Sequence, residues 1–515
     1  MKRLIVLLGL LFLINTSVLA QGASQKTSLR FEVTLARGLV SGSQKGRLFI
    51  FLNLKDGPEP RLTLGSPALD SPPMLAKDIE SFTPGTTVAV IDGNAIAYPI
   101  DNLAALPPGD YNVQALFDTN IDLSSLNAPG NLYSTPQKVN LDAKRGGTVK
   151  LELTQIVPPE QLPTETEYVK YVRIQSPLLS KFHGRPIYLR AGIILPRDYE
   201  REPNRRYPLR IHIGGFATKF TVVQALMNEK TKFHKTWLAD DTPRMIYVLL
   251  DGDGPYGDPS QVNSANDGPY GDATTQELIP YIEQKYRAIG KPYARVLDGG
   301  STGGWASLAL QVFYPDFFNG TWSGYPDPVD FRAYQLVDIY KDENAYINNH
   351  GFERPSDRDA NGDIAFTMRL ECQMENMLGA GDSYTMSGGQ WGAWNALFGP
   401  RGADHRPVPL WNAKTGKINH EVAEQWKKYD LRLMLEQNWK TLSPGLKGKL
   451  HIWVGEADDY FLNNAVHLLD DFLSKADPPY GGSIVYGQRG RHGWSPMTDS
   501  ELMKEMMRAI EKTQP

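Results

Sequence analysis

The chain holds a single cysteine, Cys372, among 515 residues. One cysteine excludes an intrachain disulfide, and a large domain can do without one because its core suffices. Cys372 lies in a helical-looking stretch with no histidine paired to it, so it reads as a packing residue rather than a nucleophile. Long apolar runs are scarce too: beyond the N-terminus, no segment has the length of a membrane span. A surplus of positive charge is also missing. Lys and Arg number 54 against 58 Asp and Glu, for a formal net charge of -4. No basic run or patch stands out, which argues against nucleic acid as a partner. What is there is 41% hydrophobic and 22% charged, a globular composition, in a chain long enough for two or three domains.

Lys2 and Arg3 precede an apolar stretch, 4–14, and Val18-Leu19-Ala20 offers a small-residue cleavage site. This pattern predicts a secretory signal peptide cleaved after Ala20, and hence a secreted or periplasmic protein. Residues 27–156 read as an all-β, sandwich-like domain. Leu29, Phe31, Val33 and Leu35 alternate with mostly polar residues. Further strands are expected at 48–54, 87–91, 110–117 and 148–156, between Pro- and Gly-rich turns. Residues 157–165, with Pro158, Pro159 and Pro163, read as a linker.

From 166 to 515 the pattern becomes α/β. Strands are expected at 168–174, 187–194, 209–213, 245–250, 294–297, 320–323, 450–454 and 483–485, and helices at 274–287 and 501–512. Such alternation implies a doubly wound, mostly parallel sheet, whose reactive groups belong at the carboxyl ends of the strands. Residues 325–449, after the sixth strand, show no clear strands and carry five of the ten tryptophans. They read as a cap-like insert whose aromatics mainly pack its own core, with Trp391 a candidate for the cleft.

The strongest chemical signal is VLDGGSTGGW, residues 296–305, in which Gly299 to Gly303 fit G-x-S-x-G. In a strand–turn–helix setting this is a nucleophile elbow. The serine needs a strained backbone, and the flanking glycines avoid clashes. The helix that follows points free N–H groups at developing negative charge. Ser301 is thus the candidate nucleophile. Its base needs an orienting acid, and in this fold the chain order is Ser, acid, His.

Of nine histidines, only His467 and His492 follow the loop Gly455-Glu456-Ala457-Asp458-Asp459. His492 sits in a Gly-rich loop after the last strand and is favoured as base; His467 reads as a surface helix residue. Asp458, three residues past Gly455, is the favoured acid, Asp459 its rival and Glu456 a poor third. An Asp of this pair also has the chemistry of a helix N-cap. The oxyanion donors are expected from the N–H of Thr302 and that of Gly215 or Phe216, in the loop after the third strand. His212, just before, reads as a strand residue.

Two other loops carry patterns. Asp253-Gly254-Pro255-Tyr256-Gly257-Asp258 recurs at 267–272, so Tyr256 and Tyr270 are candidates for substrate contact, with a pair of similar tight turns as the alternative. Residues 357–363 match the first half of a calcium loop, but the twelfth position is Met368 where a bidentate Glu is expected. No metal or other cofactor is expected.

The GGF loop after Tyr207-Pro208, SANDGPYGDA at 264–273, GGSTGGW, GEADDYFL and RGRHGW together resemble the putative-esterase family of α/β-hydrolases. That family includes esterase D, feruloyl esterases and enterochelin-esterase-like proteins. The resemblance covers 166–515. It implies Ser301, Asp458 and His492 as nucleophile, acid and base of a serine carboxylesterase. The expected substrate is a small-molecule or polysaccharide-linked ester, such as an acylated sugar or hydroxycinnamate ester. A serine peptidase of prolyl-oligopeptidase type and an acyltransferase on the same fold are the rival readings. The N-terminal region is short for the propeller of such a peptidase. The loop IHIGGF departs from the family, where HG followed by an aromatic is common, so the second oxyanion donor stays open between Gly215 and Phe216.

Overall fold

Eight strands in the second half of the chain form one sheet in the computed structural model, which describes residues 26–54, 57–65 and 67–515. The expected signal peptide lies outside the described residues. We label these strands β1 (Val169–Gln175), β2 (Tyr188–Ile194), β3 (Leu209–Ile213), β4 (Ile246–Leu250), β5 (Arg295–Gly300), β6 (Thr321–Gly324), β7 (Leu450–Gly455) and β8 (Ser483–Gly487). Their spatial order is β1-β2-β4-β3-β5-β6-β7-β8. β2 runs antiparallel to both neighbours, and the pairs from β4–β3 through β7–β8 are parallel.

The central strands are apolar without alternation because both faces are covered. Val248 and Leu250 pack with the helix Thr302–Phe313, α1, on one side. Tyr247 and Leu249 pack on the other against Leu502, Met503, Met506 and Ile510 of the terminal helix Asp499–Thr513. That helix opens with a capping box between Thr498 and Glu501. The expected helix at 274–287 instead begins at Tyr270 and passes through a π-helical stretch, Thr274–Leu278, before ending at Lys285.

In the N-terminal region nine strands are hydrogen-bonded into one sheet. Four of them lie beyond those expected: Met74–Phe82, Ile96–Tyr98, Leu132–Ser134 and Gln137–Leu141. The apolar run of Gln44–Asn53 is buried on both faces. Leu48, Ile50 and Leu52 join the region's own core, while Phe49 and Phe51 pack on Met374 and Met377. Those methionines belong to α2, Met368–Leu378, a helix of the 325–449 segment. Arg47, also buried, donates from Nε and Nη2 to the Met377 carbonyl at 3.0 and 2.9 Å, satisfying the end of α2. The N-terminal sheet therefore holds α2 in place.

The 325–449 segment also contains a hairpin, Pro355–Arg358 with Ile364–Thr367, and the helix α3, Gln390–Phe398. In the hairpin turn Asp359 accepts from the amides of Asn361 and Asp363 at 2.7 and 3.0 Å. Cys372 is buried in the core on α2.

Candidate active site

Ser301 stands between β5 and α1 with φ 58° and ψ -125°. Its amide donates to Gly324 O at the end of β6 at 3.1 Å, and its carbonyl accepts from Asp327 N at 3.1 Å. This conformation costs energy for a residue with a side chain, and these bonds hold it. The neighbouring glycines are required sterically. A Cβ on Gly299 would collide with the Gly303 carbonyl, and one on Gly303 with the carbonyls of Ile213 and Gly214.

β7 and β8 deliver the other two groups of the set. Asp458, fully buried, places Oδ2 2.9 Å from His492 Nδ1. Its Oδ1 accepts from the amides of Tyr460 and Leu462 at 3.0 and 3.2 Å. A carboxylate only accepts, so Nδ1 carries the proton and Nε2 is left with a lone pair. Asp459 points away and receives Arg491 in a two-pronged pair at 2.7 and 2.9 Å. Neither aspartate caps the helix Asn463–Leu473, whose N-cap residue is Leu462. Glu456 meets His467 at 2.9 Å, and His467 stacks on Tyr486.

Tyr325 and Tyr460 flank the His492 ring edge-to-face, with centroids 4.8 and 4.9 Å away. Burial pushes the His492 imidazole down, but the hydrogen bond and charge of Asp458, with a contribution from Asp327, outweigh it and leave the pKa raised.

Ser301, His492, Gly215 and Phe216 line one cavity of about 630 Å³. A Cβ on Gly215 would stand 3.8 Å from that of Ser301. Among the described residues, the amides of Gly215 and Phe216 have no hydrogen-bond acceptor, whereas that of Ala217 donates to Asp258 at 3.1 Å. Asp258, the last residue of the first Asp-Gly-Pro-Tyr-Gly-Asp copy, thus anchors this loop; burial pushes its carboxyl up to about 8. Thr302 is the first residue of α1, so its N–H has no partner four residues back. His212 also lines the cavity, with Nδ1 2.9 Å from Asp298, itself gripped by Arg210 at 3.1 and 2.7 Å.

Three expected contact residues lie elsewhere. Tyr256 lines a separate cavity and Tyr270 is buried beside a third. The two Asp-Gly-Pro-Tyr-Gly-Asp copies are turns beside β4 and at the start of the following helix, and neither tyrosine lines the Ser301 cavity. Trp391 is 1% exposed, its Nε1 donating to Glu371 at 2.7 Å. One turn further along α3, Trp394 lines the cavity instead.

The residue that no motif marks is Asp327. It is buried, three residues beyond β6, and lines the same cavity. Ser301 Oγ donates to its Oδ1 at 3.4 Å, while Thr302 Oγ1 and Trp394 Nε1 donate to Oδ2 at 2.7 and 2.8 Å. Burial raises its pKa to about 6 against these hydrogen bonds and the charge of His492. The rule that reactive groups gather at strand ends covers this position. Two further carboxyls, Glu371 and Glu375 of α2, line the opposite wall, and burial with the charge of Glu371 pushes Glu375 up to about 8.

A central sheet in this order, with a strained serine at the end of its fifth strand, defines an α/β-hydrolase fold. The sequence pattern of the family described as "Putative esterase" matches residues 187–474, more than half of the chain. The chain belongs to the putative-esterase family, and with it to the hydrolases. No curated protein matches it. Similar solved structures include a ferulic acid esterase, at 15% identity over 67% of this chain and 99% of that one, with a TM-score of 0.39. The fluorophosphonate-binding serine hydrolase F of Staphylococcus aureus is similar at 13% identity, 66% and 98% coverage and a TM-score of 0.38. An S-formylglutathione hydrolase from Agrobacterium tumefaciens is similar at 13% identity, 67% and 97% coverage and a TM-score of 0.36. Likenesses at this level carry no weight for the site; the family rests on the sequence match.

Proposed function

We propose that this protein is a serine carboxylesterase working through an acyl-enzyme. The observation that carries the reading is the Asp458–His492 pair at 2.9 Å, sharing a cavity with a serine held at positive φ. In the proposed cycle Ser301 exchanges its 3.4 Å contact with Asp327 for Nε2 of His492. His492 takes the serine proton as Oγ attacks the ester carbonyl, then protonates the departing alcohol. Water, deprotonated by the same imidazole, releases the acid. The oxyanion lies between the N–H of Thr302 and that of Gly215 or Phe216, each such donor being worth roughly 3–4 kcal/mol in the transition state.

The cavity wall supports a neutral, hydroxyl-bearing ester, an acylated carbohydrate or a hydroxycinnamate ester. Gln335, Gln390 and Glu371 supply hydrogen-bonding groups beside Trp394. The buried carboxyls disfavour an anionic acyl group. Turnover of a panel of acetylated sugars and hydroxycinnamate esters by the purified chain, with peptide anilides left intact, tests this. We also propose export, with a mature N-terminus at Gln21, which N-terminal sequencing of the protein from culture fractions checks.

Asp327 acts here as a positioning residue. Its charge favours the His492 imidazolium, so removing it lowers the histidine pKa. The base must be neutral to work, so activity is lost as pH falls through that pKa. Asp327→Asn is therefore expected to move the acid limb of kcat/KM to lower pH, alongside a fall in kcat at neutral pH as the imidazolium loses its second anion. A pH–rate profile reads both. An unmoved acid limb would remove Asp327 from the charge balance of His492.

A further inference from the structure

A second cavity, of about 490 Å³, opens where the N-terminal sheet meets the 325–449 segment. The proposed ester chemistry makes no use of it. It adjoins the Ser301 cavity, because Leu378 at the end of α2 lines both. One wall comes from the N-terminal region around Asn120, and the opposite wall holds Tyr256, Arg401 and Arg406.

Three features of this cavity point to a ligand. The first is its charge. Three carboxyls line it, but Asp78 is paired with Arg47 at 2.7 Å, Glu80 with Lys45 at 2.5 Å, and burial pushes Asp118 up to about 7. Arg185 is paired with Asp122 at 2.6 Å, and among the described residues neither Arg401 nor Arg406 has a carboxylate partner. All three arginines act on the Tyr256 phenol: burial raises its pKa, and Arg401, Arg185 and Arg406 each pull it back. The second is exposed apolar surface. Phe182 is 38% exposed and Ile121 65% exposed, and both line this one cavity. Phe182 carries Arg401 over its ring at 5.4 Å. The third is polar hydrogen-bonding capacity between them, from Asn120 and Ser387. Guanidinium groups suit carboxylates, flat aromatic faces suit the C–H faces of sugar rings, and amides and hydroxyls suit sugar hydroxyls.

We propose that this cavity binds a carboxylate-bearing saccharide, with Arg401 and Arg406 holding the carboxylate and Tyr256 and Phe182 the ring faces. Its place beside the Ser301 cavity lets one chain occupy both, and it gives the N-terminal sheet a share in binding as well as in holding α2. The link to Ser301 rests on the esterase reading; the binding itself does not.

The test is calorimetric titration of the full chain with tetragalacturonate and, separately, with the neutral maltotetraose. Tetragalacturonate is expected to bind at least about tenfold more tightly, with affinity falling as salt rises. The double variant Arg401→Gln/Arg406→Gln should lose that preference while hydrolysing a small chromogenic ester as the wild type does. Arg401→Lys/Arg406→Lys, which keeps the charge but not the fork, should recover part of it. Equal affinity for the two saccharides, no binding of tetragalacturonate, or binding unchanged in the glutamine variant would each overturn the proposal. Because the titration needs no turnover, its failure is separate from a failure of Ser301 to cleave esters.

Discussion

Ser301→Ala is expected to abolish ester hydrolysis, lowering kcat by a factor on the order of 10⁶. The size follows from the proposed mechanism. Without Oγ no acyl-enzyme forms, and His492 has no attacking group to activate. What remains is the oxyanion site and substrate binding, which alone still exceed reaction in water by roughly 10³–10⁴. Covalent labelling by a fluorophosphonate should vanish in the same variant, while the melting temperature should not fall. Ser301 contributes no packing: its Oγ has one long hydrogen bond and faces the cavity. Losing the strained side chain at φ 58° exchanges it for another Cβ of the same geometry. Hydrolysis persisting in this variant, at any rate near that of the wild type, would sink the serine mechanism.

Asp458→Asn is expected to lower kcat by about 10⁴, the next largest effect. The substitution keeps shape but reverses one hydrogen bond. A carboxylate at 2.9 Å keeps the proton on Nδ1 and leaves Nε2 free to accept. An Asn amide turned towards Nδ1 would donate, forcing the proton onto Nε2, where it blocks attack. The negative charge that stabilises the imidazolium is lost as well. Asp459→Asn should change turnover by less than about tenfold, since the Asp459 carboxylate meets the exposed Arg491 side chain, while the Arg358 amide donates to its main-chain carbonyl, which the substitution keeps. Measured kcat for the two variants decides between them, and the reverse ranking would move the acid to Asp459.

The distinction between these neighbours shows how far the chain reads as a sequence. All eight strands of the central sheet were legible, because the inner ones are short apolar runs covered on both faces and the edge ones are still bounded by turn residues. The strand Met74–Phe82 was not. Lys77, Asp78 and Glu80 break its pattern, and it is a strand because it pairs with Gln44–Asn53. Asp458 and Asp459 differ in sequence by one position, yet one is fully buried on His492 and the other turns to Arg491. Trp391 and Trp394 lie on the same helix, and only packing decides that the second lines the cavity. Asp327 carries no motif. Its surroundings are made by Trp394 and Gln390, more than sixty residues further along the chain.

By itself, then, the sequence determined the local rules: a glycine-flanked serine at a strand–helix turn, candidate acid and histidine loops at later strand ends, and a family. Those are properties of short segments, set by backbone sterics and apolar periodicity. The tertiary structure alone decided what surrounds the serine. It brought α2 and α3 over the sheet, set three carboxyls around one cavity, and propped α2 on the N-terminal sheet. Burial and long-range contact determine those features, and neither is a property of any short stretch of chain.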